Sequence, residues 1–196
     1  MKLSFYLGVI RKMMVNTLVI YRSRNVCYFN QYSLINFFRR YGEDRMAATA
    51  CGPFVCAMVV STLGEKKVTP MEVAAWSCDH GYYEHRHGSM HSLIPDYCTY
   101  MGLNCTDLGN STEKMVARLE KTGGLAIVLC KKGRFSSGRH FIVVGKQGKW
   151  LKVYNSGNVL DCYRKFTEND IKEALAQDRI YIGPIWCISK EKNALK

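Results

Sequence analysis

Residues Thr49 to Leu63, Thr-Ala-Cys-Gly-Pro-Phe-Val-Cys-Ala-Met-Val-Val-Ser-Thr-Leu, restrict the fold more than any other stretch of the chain. From Gly52 to about Leu63 they make a helix-length run that is apolar on nearly every side, and such a helix has to be enclosed by the rest of its domain. Pro53 in the first turn forfeits no hydrogen bond, because the first four amides of a helix have no intrahelical acceptor. The run predicts a central buried helix that begins at Cys51. A thiol placed there meets the positive end of the helix dipole, which favours the nucleophilic thiolate, and a nearby imidazolium would favour it further. Most free cysteines are inert small hydrophobes. What sets Cys51 apart is the company of His140 and Asn155 much later in the chain.

Around that helix the punctuation is regular. Thr69-Pro-Met-Glu72 reads as a capping box with proline at the first helical position, opening a helix to about His80 that Gly81 ends. A second helix is expected from about Ser92 to Met101 with Gly102 at its stop, and a third from Asn110-Ser-Thr-Glu113 to Gly123-Gly124. The period then changes. Leu125–Cys130 and His140–Gly145 are apolar runs of strand length, and Trp150–Tyr154 alternates as a strand joined to its predecessor through Gln147-Gly148-Lys149. A short helix, Thr167 to Ala176, precedes a last strand from Ile180 to Ser189. Upstream, Cys27–Gln31 reads as a short strand. Helices first and an antiparallel sheet afterwards make an α+β domain over residues 26–190, with a basic and apolar N-terminal extension at 1–25 and a tail at 191–196.

The 196 residues carry a formal net charge of +12. Half of that excess sits in the first 45 residues, which hold eight of the 28 Lys and Arg and two of the 16 Asp and Glu. The rest is dispersed singly, so a solvated surface is expected rather than a nucleic-acid partner, with weak attraction to acidic surfaces left open. Nine cysteines with no CxxC pair fit a reduced, cytoplasmic protein. Met1–Tyr21 is apolar, but Arg11 and Lys12 interrupt it and no clean small-x-small cleavage site follows, so a secreted or surface-associated protein is the alternative reading. The cluster Cys78, His80, His85, His87 and His91 matches no zinc spacing with four clear ligands, and no metal or other cofactor is expected. Gly81, Tyr82, Tyr83 and Gly88 make this stretch a loop between two helices.

Thiol hydrolysis needs a nucleophile, an imidazole to manage its proton and a group to orient the imidazole. Cys51 opens a helix, His140 opens a strand and Asn155 follows the next strand of the same hairpin. A chain that goes out and returns brings the last two to the same end of the sheet. Singly, a His at a strand start is usually structural and Asn before Ser-Gly is usually a turn former. The ordered trio points to catalysis.

Three blocks resemble the papain-like cysteine peptidases of the bacteriocin-processing type, which cut after double-glycine leaders, and their stand-alone relatives. They are Ala50-Cys-Gly-Pro-Phe-Val-Cys-Ala-Met58, Gly133-Arg-Phe-Ser-Ser-Gly-Arg-His-Phe-Ile-Val-Val-Gly145, and Val153-Tyr-Asn155 at the place of the family's orienting Asp. The resemblance implies a papain-like fold, a central nucleophile helix packed on a C-terminal antiparallel sheet. It implies Cys51 as nucleophile, His140 as base and Asn155 as orienter. Gln31, in Tyr-Phe-Asn-Gln, resembles the upstream glutamine of the stand-alone relatives, which implies an oxyanion donor beside the Cys51 amide. It also implies that the loop carrying Tyr82, Tyr83, His87 and His91 borders the cleft, with Gly138 on the substrate side of the base; His91 is the alternative base. Peptide or protein substrates follow. No transporter segment accompanies the domain within the 196 residues, so export-coupled leader cleavage is not expected of this chain itself.

Two departures from the pattern matter. Ser156 replaces the usual proline, and a neutral Asn replaces Asp, which alters the imidazole's charge environment more than its orientation. Arg139 is expected to point away from His140 if strand alternation holds. The rival functions are an NlpC/P60-like cell-wall amidase, a transglutaminase-like acyltransferase, and a catalytically silent peptide-binding module.

Overall fold

The computed structural model describes residues 10, 11, 14, 15, 21, 25–177 and 183–190. The expected extension at 1–25 is thus largely outside the described residues, and the tail at 191–196 wholly so. Residues 10, 11, 14 and 15 are helical, and the first element with both ends described is a short helix, Leu34–Phe38, followed by a hairpin of β1 (Arg40–Tyr41) and β2 (Asp44–Arg45) and one helical turn, Met46–Thr49. The central helix, Cys51–Leu63, follows, then helix Pro70–Asp79, a second small hairpin of β3 (Tyr83–Glu84) and β4 (Gly88–Ser89), and helix Leu93–Tyr100. The second half contains β5 (Leu103–Asp107), helix Thr112–Thr122, β6 (Leu125–Cys130), β7 (His140–Gln147), β8 (Trp150–Tyr154), a 3-10 turn Val159–Tyr163, helix Glu168–Ala174 and β9 (Ile185–Lys190).

Strands β5, β9, β6, β7 and β8 form one five-stranded sheet in that order, every neighbouring pair antiparallel. Both faces are covered. Ile127 and Leu129 of β6 enter the core shared with the central helix and with Leu93, Ile94 and Cys98, while Ala126, Val128 and Cys130 enter a second core with Met115 and Leu119 of helix Thr112–Thr122 and Ile171 of helix Glu168–Ala174. Burial on both faces is why β6 reads as an unbroken apolar run, since successive side chains point to opposite sides of a strand.

The central helix buries ten of its 13 residues, from Gly52 to Ser61. Each large side chain enclosed in this way stabilises the fold by about 1.5–3 kcal/mol, so Met58→Ala or Phe54→Ala would cost about 2–5 kcal/mol. At Gly52 no side chain fits, because an added Cβ would lie 2.5 Å from Ser89 Oγ. That close approach seats the β3–β4 hairpin on the start of the helix. The Thr69 capping box is present in full, and helix Thr112–Thr122 ends on Gly123 in the left-handed conformation (φ 64°).

The sequence reading needs correction. Residues 27–31 are not a strand: Cys27 N–H donates to Thr62 Oγ1, and the Tyr28 hydroxyl to the Asn155 carbonyl. Strand β5 was not anticipated, and β9 begins at Ile185, residues 178–182 lying outside the described residues. Among the described residues no helix is long and apolar enough to cross a membrane.

Candidate active site

Cys51 is half-buried at the first position of the central helix, where Ala50 (φ −88°, ψ 23°) bends the chain out of the preceding turn. The helix packs against β7. Burial pushes the Cys51 thiol up, and the backbone groups of Phe141, Gly52 and Cys51 itself pull it down only in part. Desolvation thus opposes the thiolate at the helix start, and an adjacent cation would favour it.

His140 and Asn155 are both buried, and His140 Nε2 lies 2.9 Å from Asn155 Oδ1. The surroundings of Asn155 fix which atom is which. Its Nδ2 faces two acceptors, the Phe135 carbonyl at 2.9 Å and Asp161 Oδ2 at 2.8 Å, while Gly157 N–H donates to Oδ1 at 2.9 Å. With Oδ1 an acceptor, His140 Nε2 has to be the donor. A neutral imidazole carries one N–H, so Nδ1 holds the lone pair. Cys51 and His140 open on one cavity of about 850 Å³. His87, His91, Arg86, Glu84 and Arg139 also line it. Cys51, His140 and Asn155 are thus brought together from a helix start and the open end of the β7–β8 hairpin.

Among solved structures, the chain is similar to the peptidase domain of Streptococcus ComA, described as a bifunctional ABC transporter involved in a quorum-sensing pathway, with TM-score 0.52 and 14% identity over 72% of this chain and 92% of that one. The fold is that of a papain-like peptidase domain. No protein-family model matches the chain, and no curated protein does either.

Other expected site residues are distributed differently. Gln31 is buried, but its amide donates to the Met46 and Ala47 carbonyls at 3.1 and 3.2 Å, while its Oε1 accepts from the Ser156 hydroxyl at 3.1 Å. It ties the turn before Cys51 to the segment after β8 and does not line the cavity. Both side-chain N–H groups of Gln31 are engaged.

The structure brings His87 and His91 to the cavity, and places Tyr82, Tyr83 and Gly138 outside its lining. Both tyrosines turn to apolar partners. Tyr82 stacks on Trp76 with ring centroids 5.3 Å apart and donates to Asp96, while Tyr83 packs edge-on to Tyr41 at 4.9 Å and donates to Asp44. Arg139 does share the cavity with His140, and its Nη2 lies 3.3 Å from His91 Nε2. Strand alternation does not reach it, because β7 begins at His140. Among the described residues no group of three or more His, Cys, Asp or Glu is placed to hold a metal ion.

Sequence reasoning missed three residues of the site. Asp161 supports Asn155, Tyr28 holds the Asn155 carbonyl, and Gly157 leaves room for the ring. A Cβ at Gly157 would sit 3.3 Å from His140 Nε2 and 3.4 Å from Asn155 Oδ1. The one available signal for Asp161 was Asn158, whose side chain caps the 3-10 turn carrying it.

Proposed function

We propose that this chain is a cysteine peptidase that hydrolyses a peptide or isopeptide bond through Cys51, His140 and Asn155. The observation that carries the reading is the His140 Nε2–Asn155 Oδ1 hydrogen bond at the edge of the cavity that also holds Cys51. It leaves Nδ1 free of the orienting bond and able to take the thiol proton. The imidazolium so formed is a cation that favours the thiolate of the buried sulfur.

The Cys51 thiolate attacks the carbonyl carbon of the scissile bond, and the carbonyl π electrons move to oxygen. The Cys51 main-chain N–H stabilises that oxyanion. His140 returns its Nδ1 proton to the departing nitrogen as the C–N bond breaks, leaving an acyl-thioester. Water then attacks the thioester carbonyl, giving its proton to Nδ1, and the tetrahedral species collapses to the carboxylic product and free Cys51. Gln31 acts chiefly as the clamp between the two halves of the site, and it joins the oxyanion hole only by releasing Met46 or Ala47. The fully engaged Gln31 amide favours the silent binding module as the second reading.

The discriminating experiment is iodoacetamide labelling of the native protein at about pH 6, where an ordinary thiol is almost wholly protonated, followed by incubation with a peptide library read by mass spectrometry. Selective alkylation of Cys51, its loss in His140→Ala, and peptide cleavage that Cys51→Ala abolishes are the expected results. Labelling no faster than at the other eight cysteines, with the protein folded, would move the conclusion to the binding module. Products carrying an added primary amine would instead identify an acyltransferase.

A further inference from the structure

The orienter in this site is uncharged, yet a carboxylate stands directly behind it. Asp161 is 2% exposed, on the 3-10 turn Val159–Tyr163, and its Oδ2 accepts from Asn155 Nδ2 at 2.8 Å. Burying an acidic group is costly unless it is hydrogen-bonded or paired, and the Asn155 amide is one of the partners that keep Asp161 there. The amide of Asn155 lies in series between this carboxylate and the imidazole. An amide whose N–H donates to a carboxylate has a more electron-rich oxygen, and hydrogen bonds in such a chain strengthen one another.

We infer that Asp161 is a positioning residue for His140: acting through Asn155, it holds the Nε2–H tautomer and stabilises the imidazolium. The charge that a direct Asp–His contact would supply is here placed one hydrogen bond further out. The inference rests on the peptidase reading above. The groups facing Asp161 are Arg164, whose Nη1 is 3.9 Å from Oδ1, the more distant Arg134, the Asn158 side chain, the Tyr28 hydroxyl and the Cys162 thiol. Those sharing the cavity with His140 are Cys51, His87, His91, Arg86, Glu84 and Arg139. Of the two acids in these sets, Asp161 is hydrogen-bonded to the imidazole's own partner, whereas Glu84 is exposed on the opposite hairpin.

The sign of the effect follows from charge. Without the Asp161 carboxylate the imidazolium is less favoured, so the thiolate–imidazolium pair forms over a narrower pH range. Burial raises the pKa of Asp161 overall, against the lowering effects of Asn155, Arg164 and Asn158, so its charged form is disfavoured by the fold. Removing the charge should therefore not lower stability at neutral pH.

The test is the pH dependence of Cys51 alkylation by iodoacetamide, read by peptide mass spectrometry on the full chain for the native protein, Asp161→Asn, and Asn155→Asp combined with Asp161→Asn. In Asp161→Asn the alkaline limb, where the imidazolium loses its proton, should move down by roughly half a pH unit or more. Peptide turnover should fall roughly tenfold in kcat with KM nearly unchanged, and the thermal midpoint at pH 7 should hold or rise. The double variant, which puts the carboxylate on the imidazole directly, should return the limb toward its native position. A rate lowered equally at all pH values, or a limb that stays in place, would overturn the inference. Nitrogen-15 NMR of His140 in the native protein needs no variant: the neutral ring should carry its proton on Nε2, and an Nδ1–H tautomer would refute the proposal even if Asp161→Asn failed to fold. Failure of the peptidase reading looks different. There the native protein shows no His140-dependent limb at all, and both conclusions fall.

Discussion

On the sheet side of the cleft, His140, Asn155 and Asp161 are buried and all four hydrogen-bonding positions of the Asn155 amide are filled. On the hairpin side, Glu84, Arg86 and His87 stand exposed. Asp44 helps to hold the hairpin to the body of the protein, its Oδ2 accepting from Arg86 N–H at 2.7 Å and from the Tyr83 hydroxyl at 3.0 Å. On the proposed function the two sides answer different demands. Proton transfer needs a preset geometry in a dry, matched network, whereas selecting among peptides needs surface that can change without unfolding the domain.

If that division is right, the largest effects come from unbalancing the sheet side. His140→Ala leaves the burial of Cys51 uncompensated, so its thiol lies above the ordinary range and alkylation should require alkaline pH. Turnover should fall at least 10²–10⁴-fold. Asn155→Ala frees the imidazole and also strands the Asp161 carboxylate, so both activity and stability should drop, the latter by about 3 kcal/mol. Denaturant unfolding alongside turnover measures both. Loss of activity with full stability would show that Asp161 finds another partner.

Gln31→Ala sharpens the comparison from within the buried side. As a clamp, Gln31 fills the Met46 and Ala47 carbonyls and accepts from Ser156, so its loss should lower stability by about 1–3 kcal/mol and reduce turnover along with it. A fall in kcat at unchanged thermal midpoint would instead make it an oxyanion donor that releases its ground-state bonds. Gly157→Ala should act more gently. The added methyl meets His140 Nε2 and Tyr32 Cε2 at 3.3 Å, so the ring has to shift by a few tenths of an ångström. A turnover loss of roughly tenfold with little change in stability is expected, since small misplacements of reacting groups are costly.

The same division explains what could be read from the chain. Strand β8, the two-face-buried β6 and the central helix were legible, because apolar runs bounded by glycines define both period and ends. The His140–Asn155 pair was legible because a tight hairpin returns the chain to where it left. Strand β5 was not, since Leu-Asn-Cys-Thr-Asp at a sheet edge has too few apolar positions to show alternation. The family resemblance put Tyr82 and Tyr83 beside the cleft, whereas their rings pack on Trp76 and Tyr41, as large aromatic side chains gain by doing. Asp161 looked like any turn acid. Its partner is Asn155, six residues back, and nothing in the intervening sequence shows that both side chains turn inward.

The hairpin side should give the smallest effects. Arg86 is the one non-glycine with positive φ among the described residues (63°), a conformation that costs energy unless its surroundings hold it. Asp44 is what holds it, through the Arg86 N–H. Asp44→Ala should therefore let the β3–β4 hairpin relax and the cavity wall move, raising KM several-fold while kcat and the pH 6 alkylation of Cys51 stay near native values. The buried Gly52–Ser89 contact keeps the base of the hairpin on the central helix in either case. A large fall in kcat would mean that the hairpin, like the sheet, helps to set the position of Cys51, and the division between the two sides of the cleft would have to be redrawn through Ser89.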